Sequence, residues 1–411
     1  MGTGQQLGSL MEASAMTPRE RMIATLNHTK PDRVPIELGW RDEVMEAVKR
    51  HYGVESSHEV AEILGADITR SAGIRVRFPE YEKRINGELS GQFGGPGRTV
   101  LHDERTFETP WGVVHRVGQD GKYLQWVSGP FVETDDLDSF DWPDEGNIVE
   151  DPELPERVKR LKEAGYWVTG KGGVHPFKQA WHMRGLENFL CDYLLRPEWV
   201  EAIYERILRF NLPLCRLSAA AGVDMISYWG DVAMQDRMLV PPDRWRSLDK
   251  QAWKTIISET RKVNPEVKFF FHSDGDIRPI VDDLIEVGFD IIDPIQPECI
   301  NPAEFKARWG GKITMEGGGS VQRTLPFGTV EDVRREVDFL MRHCAYNGGY
   351  ILRASNTVSF DCPVENVIAF YETARDYDLT KLQGPPAEIP DHPPCMDVEI
   401  TTEAVSKQML D

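Results

Sequence analysis

His272 and Asp274 stand two residues apart directly after a short β-rich run, residues 267–271, so their side chains project to the same side of an extended chain. An imidazole and a carboxylate placed in this way can share a metal ion or act as an acid–base pair, while the bland alternative is a packing histidine at a strand end. Similar side chains follow the other β-rich runs. Trp40, Arg41 and Asp42 come after residues 34–38, Gly230 and Asp231 after 225–229, and Gln296, Glu298 and Cys299 after 291–294. Glu316 and Gly317-Gly318-Gly319 follow 313–315, and the run 350–353 ends in Arg353, with Ser355 and Asn356 just beyond. A histidine, several carboxylates, a thiol and an arginine gathered at strand ends form a set rich in metal ligands.

The elements that must position these groups alternate regularly. Strand-like runs at 34–38, 68–71, 167–169, 225–229, 267–271, 291–294, 313–315 and 350–353 are separated by helical patterns, the signature of a parallel sheet crossed by helices. Eight such units predict an α/β fold, a single (β/α)8 TIM-type barrel, whose active site lies at the C-terminal strand ends. Among the helices, 330–344 places Val333, Val337, Leu340, Met341 and Cys344 on one apolar face, and 280–287 stops at Gly288. Residues 87–133 are rich in Gly, Thr and Val without a helical period and read as an early β-hairpin insertion. The barrel is expected over 16–378, after a disordered leader at 1–15. A Pro-rich tail at 379–411 is expected to wrap the surface or a neighbouring subunit, which leaves a homodimer open.

Composition narrows the function classes. With 47 Lys plus Arg against 67 Asp plus Glu the formal charge is -20, which makes nucleic acid a poor partner. No apolar run approaches the roughly 20 residues of a membrane span. Six cysteines without a CxxC pair point to free thiols and a cytoplasmic setting. Cys191, Cys215 and Cys344 fall in helical patterns and read as core, whereas Cys299, in a polar loop, is either a small filler or a thiolate. The glycine run could cradle a phosphate, but no Lys-Ser or Lys-Thr follows it. Tyr228-Trp229 and Trp181-His182 line a pocket or fill the core.

An ordered series of motifs resembles the uroporphyrinogen decarboxylase-like superfamily. It runs from Met16-Thr17-Pro18-Arg19-Glu20-Arg21 and Pro31-Asp32-Arg33-Val34-Pro35 through Arg184-Gly185-Leu186-Glu187-Asn188 and Gly230-Asp231 with Gln235. It continues with Phe271-His272-Ser273-Asp274-Gly275-Asp276, Pro294-Ile295-Gln296-Pro297-Glu298-Cys299, Pro326-Phe327-Gly328-Thr329 and Pro363-Val364-Glu365-Asn366. The resemblance implies the same barrel. True decarboxylases of that superfamily carry an Arg-rich segment after strand one and a Phe-Ser-Asp tripeptide; this chain has only Arg41 in the first place and lacks the second. The cobalamin-dependent methyltransferases are the closer group.

In the methylcobalamin-dependent type a zinc is held by a His-x-Cys pair after strand five and a Cys after strand eight. The matching positions here are His272, Asp274 and Asn356, so the resemblance implies a harder centre suited to oxygen or nitrogen. The expected function is zinc-assisted transfer of a methyl group from a methoxylated or methylated-amine substrate to the cobalamin of a separate corrinoid protein. His272, Asp274 and Cys299 are the expected zinc ligands with Glu316 in reserve. Asp231 would orient or protonate the leaving group, and Arg353 would hold a carboxylate or a corrinoid phosphate, or else form a salt bridge inside the barrel. Trp40, His182, Trp229, Gln235 and Asn356 are expected around the substrate. Two alternatives stay open: a decarboxylase of a smaller carboxylated molecule, gripped by Arg41 and Arg353, and a non-catalytic barrel that binds a corrinoid protein.

Overall fold

The computed structural model describes residues 16–67, 69–78, 83–84, 98–119 and 123–401. The expected leader, Ile68, much of the start of the insertion and the last ten residues of the tail lie outside the described residues. The strands are β1 (Thr69–Ser71), β2 (Lys83–Arg84), β3 (Arg98–Leu101), β4 (Thr106–Glu108), β5 (Val114–Val117), β6 (Leu124–Ser128), β7 (Trp167–Gly170), β8 (Met225–Trp229), β9 (Lys268–His272), β10 (Ile291–Ile295), β11 (Thr314–Gly319) and β12 (Tyr350–Ala354). Seven of them form a parallel sheet in the order β1-β7-β8-β9-β10-β11-β12.

The eighth stave is the segment around Ile36. On one side it bridges Leu352, with Glu37 N donating to Leu352 O at 3.0 Å and Leu352 N donating to Pro35 O at 2.8 Å. On the other, Asp67 N donates to Ile36 O at 2.8 Å, just ahead of β1. The segment therefore closes the sheet, though as a bridge instead of the full strand its sequence suggests: Pro35 offers no N–H to a ladder.

Period-two alternation sorts the strand residues into two populations. Phe269, Phe271, Ile292 and Leu352 point outward and are buried against the helices in the main apolar core. Trp167, Met225, Phe270, Ile291 and Ile351 point inward and form a separate cluster with Met22, flanked by Ile23 and Leu26. Those last three belong to the helix Pro18–Leu26, which plugs the N-terminal end of the barrel. The plug starts at a capping box between Thr17 and Glu20.

Charged pairs lock the plug in place. Arg21 bonds Asp32 at 2.7 Å and also Asp67, whose other oxygen takes Arg33 at 2.8 Å and the backbone N–H of Ile36 at 3.0 Å. Asp224 likewise meets Arg19 at 3.0 Å, Lys162 at 3.1 Å and Val168 N at 3.0 Å.

The insertion is a five-stranded antiparallel sheet, β2 to β6 in sequence order, larger than the single hairpin expected. It rests on the helix Pro176–Arg184: Trp126 Nε1 donates to His182 O at 2.8 Å, and a Cβ on Gly129 would lie 2.3 Å from Met183 O. The tail lies on the barrel's own surface, where Asn301 donates to Pro390 O at 2.7 Å and Arg323 to Val398 O at 3.0 Å. Among the described residues no helix is long and apolar enough to cross a membrane. All six cysteines are free; Cys215 and Cys344 are core as expected, while Cys191 is exposed.

Candidate active site at the barrel mouth

Beyond β9 the chain turns at Gly275, whose φ of +87° and close approach to Met234 O leave no room for a side chain. Ser273 braces the turn: its N–H donates to Asp293 O at 2.8 Å, and its hydroxyl accepts from Val232 N at 3.0 Å and donates to Asp274 O at 2.9 Å. This bracing ties the ends of β8, β9 and β10 together. As a result Asp231, His272 and Asp274 each offer a ligand atom within 4.8 Å of the others. His272 Nε2 lies 3.7 Å from Asp231 Oδ1, which also accepts from Asp274 N at 3.0 Å.

His272 is held from behind. Its Nδ1 is 2.5 Å from Oδ2 of Asp293, a fully buried residue of β10, and Asp293 Oδ1 accepts from Arg353 Nη1 at 3.1 Å. A carboxylate paired to arginine accepts hydrogen bonds, so the proton sits on Nδ1 and Nε2, on the side of Asp231, keeps its lone pair. Burial alone would lower the imidazole pKa, but the bond to Asp293 and the charges of Asp274 and Asp231 outweigh it and leave it raised. Burial pushes the Asp274 carboxyl up to about 6, against the pull of His272 and with Asp231 adding to the rise. Asn356 donates to Asp274 Oδ2 at 2.7 Å, while Asp274 Oδ1 is buried without a hydrogen-bond partner. The three positions singled out for zinc in the resemblance are therefore neighbours, with Asn356 gripping Asp274 in place of donating a ligand.

Asp231 and Asp274 open onto a cavity of about 390 Å3, lined also by Gln235, Gln322, Ser355 and Asn356 among others. Gln235 Nε2 donates to Gln322 Oε1 at 3.1 Å at its rim. Trp229 lies tilted against His272, ring centroids 4.7 Å apart, and remains 43% exposed.

The other expected site residues lie elsewhere. Cys299 is half-buried outside the three-residue group, in a turn closed by its own N–H to Gln296 O at 2.9 Å; burial, with Glu298 and Asp276, pushes its thiol up to about 12. Glu316 lies inside the barrel, 2% exposed, 3.6 Å from Arg353 and beside Glu37; burial and then Glu37 and Asp293 hold its pKa well above the usual range. Arg353 is the intrabarrel salt bridge, 8% exposed between Asp293 and Glu316. Trp40 donates to Tyr371 OH at 3.1 Å, and Arg41 stacks over Tyr123 at 5.2 Å. His182 packs against Trp181 and, 5.5 Å away, His115 of the insertion. The glycine run is buried inside β11, where a Cβ on Gly319 would meet Phe370 at 2.4 Å, so its role is packing.

Asp293 is the functional residue that the strand-end rule passes over. Its signal in the sequence is a lone carboxylate inside the apolar run Ile291-Ile292-Asp293-Pro294-Ile295, where an unpaired charge is too costly to bury.

The family model described as uroporphyrinogen decarboxylase (URO-D) matches residues 120–377. The chain belongs to that family. A uroporphyrinogen decarboxylase of Trichodesmium erythraeum is 22% identical over 181 residues, 44% of this chain, and the match spans only about half of that relative, 48%. Among solved structures, a methyltransferase from Methanosarcina mazei superposes with a TM-score of 0.57 at 17% identity, covering 88% of this chain and 99% of that one. The likeness at this identity establishes a shared fold: the family barrel is one that a methyltransferase also uses.

Proposed function

We propose that this protein is a metal-assisted methyltransferase that moves a methyl group from a methoxylated or methylated-amine substrate to the cobalamin of a corrinoid partner protein. The observation that carries the reading is the convergence of Asp231, His272 and Asp274 beside the cavity, two of them, His272 and Asp274, at positions where the methyltransferase resemblance implies metal ligands. One imidazole and two carboxylates suit zinc, and the buried, partnerless Asp274 Oδ1 is the kind of atom a cation would satisfy. When bound, the zinc would supply Lewis-acid polarisation of the oxygen or nitrogen that departs from the methyl group.

The residues around it have separate duties. Asp293 fixes the His272 tautomer, Arg353 donates to the other oxygen of Asp293, and Asn356 fixes the rotation of the Asp274 carboxylate. Asp231, half-exposed, is placed to bind metal or to hand a proton to the departing atom. The partner's cobalamin, in its reduced form, would supply the electron pair that takes the methyl carbon, and the heteroatom would keep the pair of the broken bond and take up the proton. Decarboxylation finds less support: Arg353 is committed to Asp293 and Glu316, and the cavity lining includes no Lys or Arg to grip a carboxylate.

Metal analysis of the gently purified full-length protein tests the site first. About one zinc per chain is expected, lowered by Asp274→Ala; a metal-free protein that zinc does not bind would overturn the mechanism. Formation of methylcobalamin on a reduced corrinoid carrier, with panels of methyl ethers and methylamines, tests the transfer itself.

A further inference from the structure

We propose that the mouth cavity takes a neutral, hydroxyl-rich methyl ether of the O-methylated sugar type, a refinement that rests on the methyl-transfer reading above. Three features of the wall lead there. The first is its polar inventory: Gln235, Gln296, Gln322, Asn356 and Thr357 supply amides and a hydroxyl, and among the described residues the lining has no aromatic ring. The Gln235–Gln322 bond uses one N–H donor and one carbonyl, leaving Gln235 Oε1 and Gln322 Nε2, an acceptor and a donor, side by side at the rim. A sugar hydroxyl, which both donates and accepts, matches such a pair; an aryl ring does not.

The second feature is unmet hydrogen-bonding capacity. Ser355, 1% exposed, and Ser359 both line the cavity, and their hydroxyls are buried without hydrogen-bond partners. Buried polar atoms in a native wall need partners, and a ligand carrying several hydroxyls supplies them. A trimethylammonium offers a single N–H, and a methoxyarene offers few.

The third is charge. Asp231, Asp274 and Asp361 line the cavity and, among the described residues, no Lys, Arg or His does, so a carboxylated ligand meets repulsion apart from any bound metal. The volume, about 390 Å3, sits at the small end of the range for small-molecule sites, which suits one such ring.

The test is equilibrium binding to the full-length protein, with and without zinc, read by calorimetry and by saturation-transfer NMR. The probes are methyl glucoside and an O-methylated glucose, against guaiacol, vanillate and trimethylamine. The sugar ethers are expected to bind about tenfold tighter or better than the other three. Ser355→Ala and Gln322→Leu are each expected to weaken sugar binding severalfold while circular dichroism and melting stay those of the parent. Equal or tighter binding of the arenes or the amine, or no binding of either sugar, would overturn the proposal. Sugar binding without methyl transfer to any corrinoid carrier would leave the ligand class standing and sink the methyltransferase reading alone.

Discussion

The two ends of the barrel use the same kinds of side chain to opposite effect. At the N-terminal end, Asp32, Asp67 and Asp224 are each met by arginine or lysine, and Asp67 and Asp224 by backbone N–H groups as well. At the C-terminal end, Asp231 and Asp274 crowd a histidine with no lysine or arginine between them, and Asp274, Ser355 and Ser359 keep buried oxygens without partners. The first arrangement holds the plug helix on the barrel. The second is costly for folding and becomes sensible when a ligand completes it. Stability and chemistry are thus divided between the ends, as the barrel architecture allows.

The strongest way to test that division is Arg21→Met. It takes from buried Asp67 one of its three partners, leaving Arg33 and the N–H of Ile36, and removes the arginine bonded to Asp32 as well, so it is expected to cost about 3–5 kcal/mol in denaturant unfolding. Zinc affinity, measured on the fraction that remains folded, should stay near the parent value; a large loss there would mean the two ends are coupled.

Asp293→Asn attacks the mouth from behind. The amide cannot act as the carboxylate acceptor that fixes the His272 tautomer, and zinc affinity is expected to fall about 10–100-fold. The nitrogen-15 shifts of His272 should show the tautomer mixing at the same time, a readout that a purely structural role for Asp293 would leave alone.

Acid titration should separate the ends by sign. Burial works against the Asp32 charge, but the Arg21 guanidinium outweighs it and holds the pKa below the ordinary 3.8. Its stabilisation is therefore present above 3.8 and lost as the pH falls through the lowered value. Asp274 behaves oppositely in the metal-free protein: raised to about 6, it contributes fully below 3.8 and loses that contribution as the pH climbs through 6. Asp32→Asn should accordingly show its stability deficit at neutral pH and lose it in acid. Asp274→Asn should remove a decline of the apoprotein between about pH 4 and 6; parallel curves for the two variants would contradict the contrast.

Ser355→Ala should have the smallest effect on folding. Its hydroxyl is buried without a partner, so removal is expected to change unfolding free energy by no more than about 0.5 kcal/mol, in either direction. A cost of several times that would show the hydroxyl to be satisfied within the fold.

The barrel was legible because the strand runs are short, apolar and regularly spaced. The same regularity exposed His272, Asp274 and Asp231, which follow their strands directly. Glu316 reads as a rim residue because glycine has low β-propensity and ends the apparent run at 315, whereas Arg353 reads equally as a rim residue or as the intrabarrel salt bridge it forms. In the structure β11 continues through Gly319 and β12 through Ala354, so both side chains point into the barrel. His182 illustrates a different limit: the face of a helix that meets an insertion depends on where the insertion docks, and no local pattern carries that. Ser359, Asp361 and Cys362 reach the cavity from beyond β12, a placement set by the path of a loop.

The proline at the closing stave has a dynamic consequence. Around Ile36 the barrel is joined by the isolated bridges Ile36–Leu352 and Trp40–Val358 on the β12 side and by one backbone bond on the β1 side, whereas β8 and β9 are paired over five residues. Breathing of the wall should start at that seam, where the fewest bonds must open together. In an eight-stave cylinder the first stave stands across from the fifth, which carries His272. Solvent can thus reach the amides of Glu37 and Leu352 early in hydrogen exchange while the fifth stave, and the imidazole mounted on it, stay closed.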